Sequence, residues 1–131
     1  MLPWALRRIL TRRALQYLVA RMRGHHSVVM HGVKVVFPVT SGSASAYGRI
    51  LEAPRKEPAT QRWIAEIANE SPGAAFWDVG ANIGVFTLLA GHLGLHVVAV
   101  EPLPTNQRLL QLGIAMNGLG EQVTSIPVGL T

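Results

Sequence analysis

In the second half of the chain, short apolar runs alternate with longer apolar segments that have helical spacing. The short runs, at residues 74–79, 95–100 and 123–128, predict buried parallel strands, with Phe76 and Trp77 in the core. The longer segments predict helices that begin near Pro58, Ile83 and Pro104. Strands that alternate with helices over this length indicate right-handed βαβ units, so the predicted fold class is α/β with a parallel sheet.

The first half of the chain predicts two different segments. Residues 1–24 are rich in leucine, alanine and arginine, which favours a helix. β-branched residues on both sides of His31-Gly32 predict a small hairpin, and the Ser-, Ala- and Gly-rich run 40–48 predicts a loop. We therefore divide the chain into a basic N-terminal helix at 1–24, an accessory hairpin and loop at 25–56, and the first half of an α/β domain at 57–131.

The positive charge of the chain is concentrated in the N-terminal segment. Subtracting its six arginines from the net charge of +5 leaves −1 for the remainder. Because arginines interrupt the apolar stretches, residues 1–23 do not predict a membrane span. We expect them to lie on an anionic membrane surface or to pack on their own domain or a partner. Nucleic acid is not expected as a partner, since aromatic residues are not interleaved with the basic ones.

The chain of 131 residues contains no cysteine, which excludes a disulfide framework and fits a cytoplasmic location, peripheral at the membrane if the basic helix binds there. The nearby histidines His25, His26 and His31 lack a neighbouring carboxylate or cysteine that would complete a metal site. No metal is predicted.

A glycine-containing turn, Gly80-Ala81-Asn82-Ile83-Gly84, follows the first predicted strand. Glycines let a ligand approach the backbone, and the amides of the following helix attract an anion. The spacing differs from the Gly-x-Gly-x-x-Gly of dinucleotide sites. At the strand tip, Asp78 would repel a pyrophosphate but attract the ammonium and sulfonium of S-adenosylmethionine (SAM). The carboxylate of SAM is then expected at the helix amides after Gly80.

Glu101 ends the second predicted strand, 21 positions after Gly80. A carboxylate there can accept hydrogen bonds from both ribose hydroxyls of a nucleoside. Because NAD-dependent oxidoreductases share this feature, an oxidoreductase half-domain remains an alternative, although Asp78 and the glycine spacing oppose it.

Two segments, FWDVGANIGVFTLLA at 76–90 and VVAVEPLPTNQRLL at 97–110, resemble the FkbM family of SAM-dependent methyltransferases. Glu57-Pro58 is similar to the upstream Glu-Pro signature of the family. The resemblance implies a partial Rossmann-like parallel sheet, SAM as cofactor, and O-methylation of a small-molecule or sugar-like hydroxyl. Asn82 agrees with the family, whereas Leu103 stands where a polar residue is usual. The cofactor-binding residues that the resemblance implies are Asp78, Gly80, Ala81, Asn82, Gly84, Glu101, Pro102 and Leu103.

Members of that family continue through four more strands and a downstream Asp-x-Glu-Gly signature that this chain lacks. We therefore expect a truncated domain whose first strand, at 74–79, has one unpaired edge. Such an edge favours self-association, and cofactor binding by the chain alone is expected to be weak. The chain would then be inactive alone, and a non-catalytic fragment that docks to membrane is a further alternative. The sequence identifies no catalytic base.

Overall fold

The computed structural model describes residues 3–41 and 44–129, which form a two-stranded antiparallel sheet and a three-stranded parallel sheet. A 3₁₀ helix at Ala53–Arg55 lies between the second and third helices. The elements in chain order are α1 (Trp4–Arg23), β1 (His25–Met30), β2 (Val33–Pro38), α2 (Ala44–Glu52), α3 (Pro58–Glu70), β3 (Ala75–Val79), α4 (Val85–His92), β4 (His96–Val100), α5 (Pro104–Met116) and β5 (Val123–Ile126).

The parallel sheet has the strand order β3-β4-β5, with α4 and α5 as the crossover helices. In its register Phe76 lies beside Val97 and Asp78 beside Ala99. These four side chains are buried, and by strand alternation they lie on one face of the sheet. Leu88 and Leu110 of the crossover helices are also buried. The predicted fold class, a partial Rossmann-like sheet preceded by a hairpin and a basic helix, is confirmed.

The first strand of this sheet is buried on one face only, so the prediction that consecutive residues of this strand lie in the core is wrong. Side chains in β3 alternate between buried and exposed, and Trp77 is 63% exposed although it was predicted to lie in the core. Its exposure follows from the packing, because the crossover helices contact the opposite face. β3 is also the edge strand, as the sequence predicted.

The predicted loop at 40–48 is also wrong, because α2 begins within it at Ala44. Serine, alanine and glycine are weak indicators of a loop when apolar residues recur at helical spacing. Ala46, Tyr47 and Ile50 meet that condition and are buried. Burial of this face stabilises a helix that composition alone does not predict.

The hairpin packs against α5 through the helix-ending residue Asn117. Its side-chain amide donates to the Val36 carbonyl at 2.7 Å, and its side-chain oxygen accepts from the Val36 amide at 2.9 Å. The side chain thus pairs with the strand backbone as a neighbouring strand would. The hairpin is therefore joined to the α/β layer by polar as well as apolar contacts.

The carboxyl-terminal half of the N-terminal helix contacts the rest of the molecule. Tyr17 and Tyr47 have ring centroids 5.5 Å apart, and Ala20 is buried. Across residues 3–41 and 44–129 we find no helix with the length and apolar content needed to cross a membrane. Nor does this part of the chain contain a group of three or more His, Cys, Asp or Glu side chains placed to hold a metal.

Candidate cofactor site

The turn after β3 crosses the carboxyl end of β4. The amides of Gly80 and Ala81 both donate to the Val100 carbonyl, at 2.8 and 3.0 Å. The ends of the two strands are therefore joined, and Asp78 and Glu101 lie at the same edge of the sheet. The structure brings together the two acidic residues that the sequence predicted for the cofactor.

Glu101 is 4% exposed and holds the turn in place. One carboxylate oxygen accepts from the Asn82 amide and the other from the Leu103 amide, both at 2.8 Å. Each carboxylate oxygen can accept a further hydrogen bond. Glu101 can therefore stabilise the turn and still accept from the hydroxyl groups of a ligand.

Asp78 is a buried carboxylate whose closest polar partner is a neutral hydroxyl. Thr87 Oγ1 of α4 donates to Asp78 Oδ2 at 2.6 Å. Burial raises the pKa of Asp78 above its ordinary range, although the hydrogen bond from Thr87 and the positive charge of Lys56 act in the opposite direction. Among the described residues no basic group lies within 4.0 Å of this carboxylate. A cationic ligand would supply the missing charge.

The first amides of the turn are satisfied within the protein. Those of Gly80 and Ala81 donate to the Val100 carbonyl, and that of Asn82 donates to Glu101. The backbone satisfies these amides because the turn folds directly onto the end of β4. The expectation that helix amides bind the carboxylate of SAM concerns the start of α4, which has no side-chain cap, and it stays a prediction.

Gly84 is the residue directly before α4 and has φ +98, a conformation that side chains disfavour. A Cβ atom there would come 2.7 Å from Leu110 Cδ1 of α5. The glycine therefore allows α4 and α5 to pack closely directly beneath the turn.

We expect Gly84→Ala to lower the free energy of unfolding by about 2–4 kcal/mol, from backbone strain and overpacking together. Gly80→Ala is the matched control: its φ is +78, and a Cβ there would meet nothing within 4 Å. It should lose only the strain component, about 1–2 kcal/mol. Urea denaturation of both variants tests this expectation, and equal losses would contradict a packing role for Gly84.

The residues implied for the adenine side, Pro102 and Leu103, are both exposed. Leu103 occupies the position before α5 and makes no side-chain hydrogen bond to the helix end. An exposed apolar side chain beside Glu101 offers a flat contact for a ring. Their role stays a prediction.

Sequence reasoning missed several polar residues around the turn. Thr87 and Lys56 act on Asp78, as described above. Arg49 of α2 donates to Asn82 Oδ1 and to Asn106 Oδ1, the latter at 3.5 Å. Thr87 lies only nine positions after Asp78, within the helix that the sequence predicted, so a local pattern could have indicated its hydroxyl. The contact of Arg49 spans 33 positions and falls in the region predicted as accessory, so no local pattern could reveal it.

No protein-family model and no curated protein sequence matches the chain. Solved structures do resemble it. The T. thermophilus 16S rRNA N2 G1207 methyltransferase RsmC, in complex with AdoMet and guanosine, superposes with a TM-score of 0.55 at 22% identity, covering 79% of this chain and 27% of that chain. The METTL16 methyltransferase domain gives 0.56 at 16% identity, covering 91% and 43%. A SAM-dependent methyltransferase from Agrobacterium tumefaciens gives 0.56 at 14% identity, covering 80% and 32%.

These similarities define the class of fold, the Rossmann-like fold of class I methyltransferases. The chain spans only 27% to 43% of the length of these three structures. Membership of the FkbM family is not confirmed by them and stays a prediction.

Proposed function

We propose that this chain carries the cofactor-binding residues of a SAM-dependent methyltransferase. The observation that carries the proposal is the position of Asp78 and Glu101 at the ends of two adjacent parallel strands, with the turn 80–84 between them. Asp78 is buried, and no basic group among the described residues lies within 4.0 Å of it, which fits a ligand that carries an ammonium group. The free lone pairs of Glu101 fit ribose hydroxyls. The structural neighbours, which include SAM-dependent methyltransferases, support the same cofactor.

In this proposal the protein acts mainly by alignment. SAM supplies a methyl group already activated by a sulfonium, and transfer is an in-line displacement by the acceptor. Asp78 orients the amino end of the ligand, Glu101 fixes the ribose, and Gly80, Ala81, Asn82 and Gly84 shape the turn between them. Thr87 donates a hydrogen bond to the Asp78 carboxylate and so helps to orient it. We assign no catalytic base, because no described side chain is placed for that role by an observation.

For the acceptor, we propose O-methylation of a small-molecule or sugar-like hydroxyl, as the FkbM resemblance implies. RNA is the second candidate. One structural neighbour is named as a 16S rRNA methyltransferase, from T. thermophilus, and another is a complex of aTrm5 with tRNALeu. The exposed arginines Arg8, Arg12, Arg13, Arg21 and Arg23 of α1 could contact phosphates. The expectation that nucleic acid is not a partner therefore has no support from the comparisons.

Calorimetry with SAM and with NAD on the same protein tests the cofactor. We expect measurable binding of SAM and weaker or no binding of NAD, because Asp78 would repel a pyrophosphate. A preference for NAD would replace this proposal by the oxidoreductase alternative.

Asp78→Asn is expected to lower SAM affinity by about tenfold or more, through loss of one charge-assisted contact. In the wild type, affinity should rise as the pH increases through the raised pKa of Asp78, because only the ionised carboxylate attracts the cation. The variant should not show this rise. Calorimetric titrations at a series of pH values provide the measurement.

Protein stability gives an independent check on the same carboxyl group. Since its pKa is raised on folding, the native state holds a proton that the unfolded state has released. Its contribution to stability is complete below the ordinary pKa of 3.8 and is lost as the pH increases through the raised value. Asp78→Asn should remove that loss. If wild type and variant show the same pH dependence of both affinity and stability, Asp78 does not act as proposed.

The N-terminal helix is proposed as a separate docking segment at 1–24, followed by the hairpin segment at 25–56 and the cofactor-binding segment at 57–131. On α1 the apolar side chains of Leu15, Leu18 and Met22 are exposed together with several arginines. This combination fits peripheral binding to an anionic membrane from the cytoplasmic side. Sedimentation with anionic vesicles, sensitive to salt and lost on removing residues 1–23, would support it, whereas no sedimentation would exclude it.

A further inference from the structure

A cavity of about 390 Å³ lies between α2 and the first turn of α5, and one of its lining residues, Arg49, is hydrogen-bonded to Asn82 of the turn 80–84. Its volume is within the range of small-molecule sites. The wall from α2 includes Ser45 and Arg49, and the wall from α5 includes Thr105, Asn106 and Arg108. None of the described residues that line the cavity is an aspartate or glutamate. The cavity is therefore positively charged and rich in hydrogen-bond donors.

Among the described residues, none neutralises the charge of Arg49. Its guanidinium is half-buried and donates to the side-chain oxygens of Asn82 and Asn106, which are neutral. In the described part of the chain, no carboxylate lies within 4.0 Å of it. A guanidinium has five N–H donors, so several remain for a ligand. A charge that is partly removed from water and lacks a counter-ion favours an anionic ligand.

Arg108 adds a second positive charge on the opposite wall of the same cavity, and its side chain is exposed. The hydroxyls of Ser45 and Thr105 lie in the same lining. The amino end of α5, a helix of 13 residues, also faces the cavity and adds a partial positive charge. Two guanidinium groups with neighbouring hydroxyls match the several oxygens of a phosphate group.

We propose that this cavity binds a phosphate group of the methyl acceptor. The inference rests on the proposed methyltransferase function and adds a chemical class to its substrate. Arg49 contacts Asn82, whose amide is held by Glu101, so a phosphate on Arg49 would be two hydrogen-bonded contacts from the predicted ribose site. The phosphate belongs either to a small phosphorylated acceptor or to the backbone of an RNA acceptor.

The test is calorimetric titration of the full chain, without cofactor, with glucose 6-phosphate, with glucose and with a ten-nucleotide RNA. The variants are Arg49→Gln, Arg49→Lys and Arg108→Gln. Arg62→Gln is the matched control, because Arg62 is an exposed arginine of α3 outside the cavity lining. Thermal unfolding of each variant verifies folding. The exposed position of Arg108 makes its replacement the variant least able to disturb the fold.

We expect glucose 6-phosphate to bind and glucose not to bind. Arg108→Gln and Arg49→Gln should each weaken phosphate binding about tenfold or more, while Arg62→Gln leaves it unchanged. Arg49→Lys should recover part of the loss, because it restores the charge without the two-pronged geometry. Binding of the RNA alone, with the same sensitivity to Arg108, would support the phosphate site and identify RNA as its source.

Absence of saturable binding of both phosphate ligands, or equal binding by the Arg108 and Arg62 variants, would overturn the proposal. A separate titration with SAM distinguishes this failure from failure of the proposed function. Phosphate binding without SAM binding would support the anion site and overturn the methyltransferase assignment. SAM binding without phosphate binding would support the methyltransferase assignment and overturn the anion site.

Discussion

Replacing Glu101 with alanine is expected to lower SAM affinity about 100-fold and the free energy of unfolding by about 3 kcal/mol or more. The stability loss follows from two hydrogen bonds, since each backbone amide bound to a buried carboxylate contributes roughly 1.5–3 kcal/mol. The affinity loss combines the missing ribose contacts with a turn that is no longer held at the end of β4. Calorimetry with SAM and urea denaturation measure the two effects.

Glu101→Gln separates these two contributions. It preserves the shape of the side chain but has one acceptor oxygen, so one of the amides of Asn82 and Leu103 must lose its partner. Its stability should lie between those of the wild type and the alanine variant. Glu121→Gln, at an exposed glutamate in the turn before β5, is the control and should behave as the wild type. A loss of stability with unchanged SAM affinity would restrict Glu101 to a structural role.

The wild-type chain is expected to self-associate through β3, and Trp77→Lys with Val79→Lys should make it monomeric. Both side chains are exposed, at 63% and 54%, on an edge strand of the parallel sheet. Exposed apolar edges pair readily with other chains, whereas lysine on an edge opposes pairing. Losing two apolar side chains from an interface costs about 3 kcal/mol or more, or roughly 100-fold in the dissociation constant. Sedimentation velocity over a range of concentrations measures the change.

The matched control is Leu112→Lys with Met116→Lys on α5, which also replaces two exposed apolar residues by lysine but away from the edge strand. It should leave self-association unchanged. A wild-type chain that sediments as a monomer, or a control variant that dissociates as readily as the β3 variant, would show that the edge of the sheet is not the contact.

Local pattern was sufficient for most elements of the α/β segment. The apolar run before Gly80 predicted β3, and Pro104 and Asn117-Gly118 predicted the two ends of α5 to within one residue. These predictions succeeded because period, proline and glycine act through the backbone of the residues that carry them. The α2 helix was missed for the converse reason: its serine- and alanine-rich sequence is weakly helical until Tyr47 and Ile50 find a surface to pack on.

The sequence by itself determined the order of strands and helices, the parallel sheet, and the two carboxylates at the ends of adjacent strands. Only the tertiary structure decided how those carboxylates are used: Glu101 holds two amides, and Asp78 is buried beside Thr87. The exposure of Trp77 and the hydrogen bond between Arg49 and Asn82 also depend on the tertiary structure. The physical reason is the sequence separation of the interacting residues. Periodicity reports neighbours within a few residues, whereas burial and long-range hydrogen bonds depend on which elements pack together.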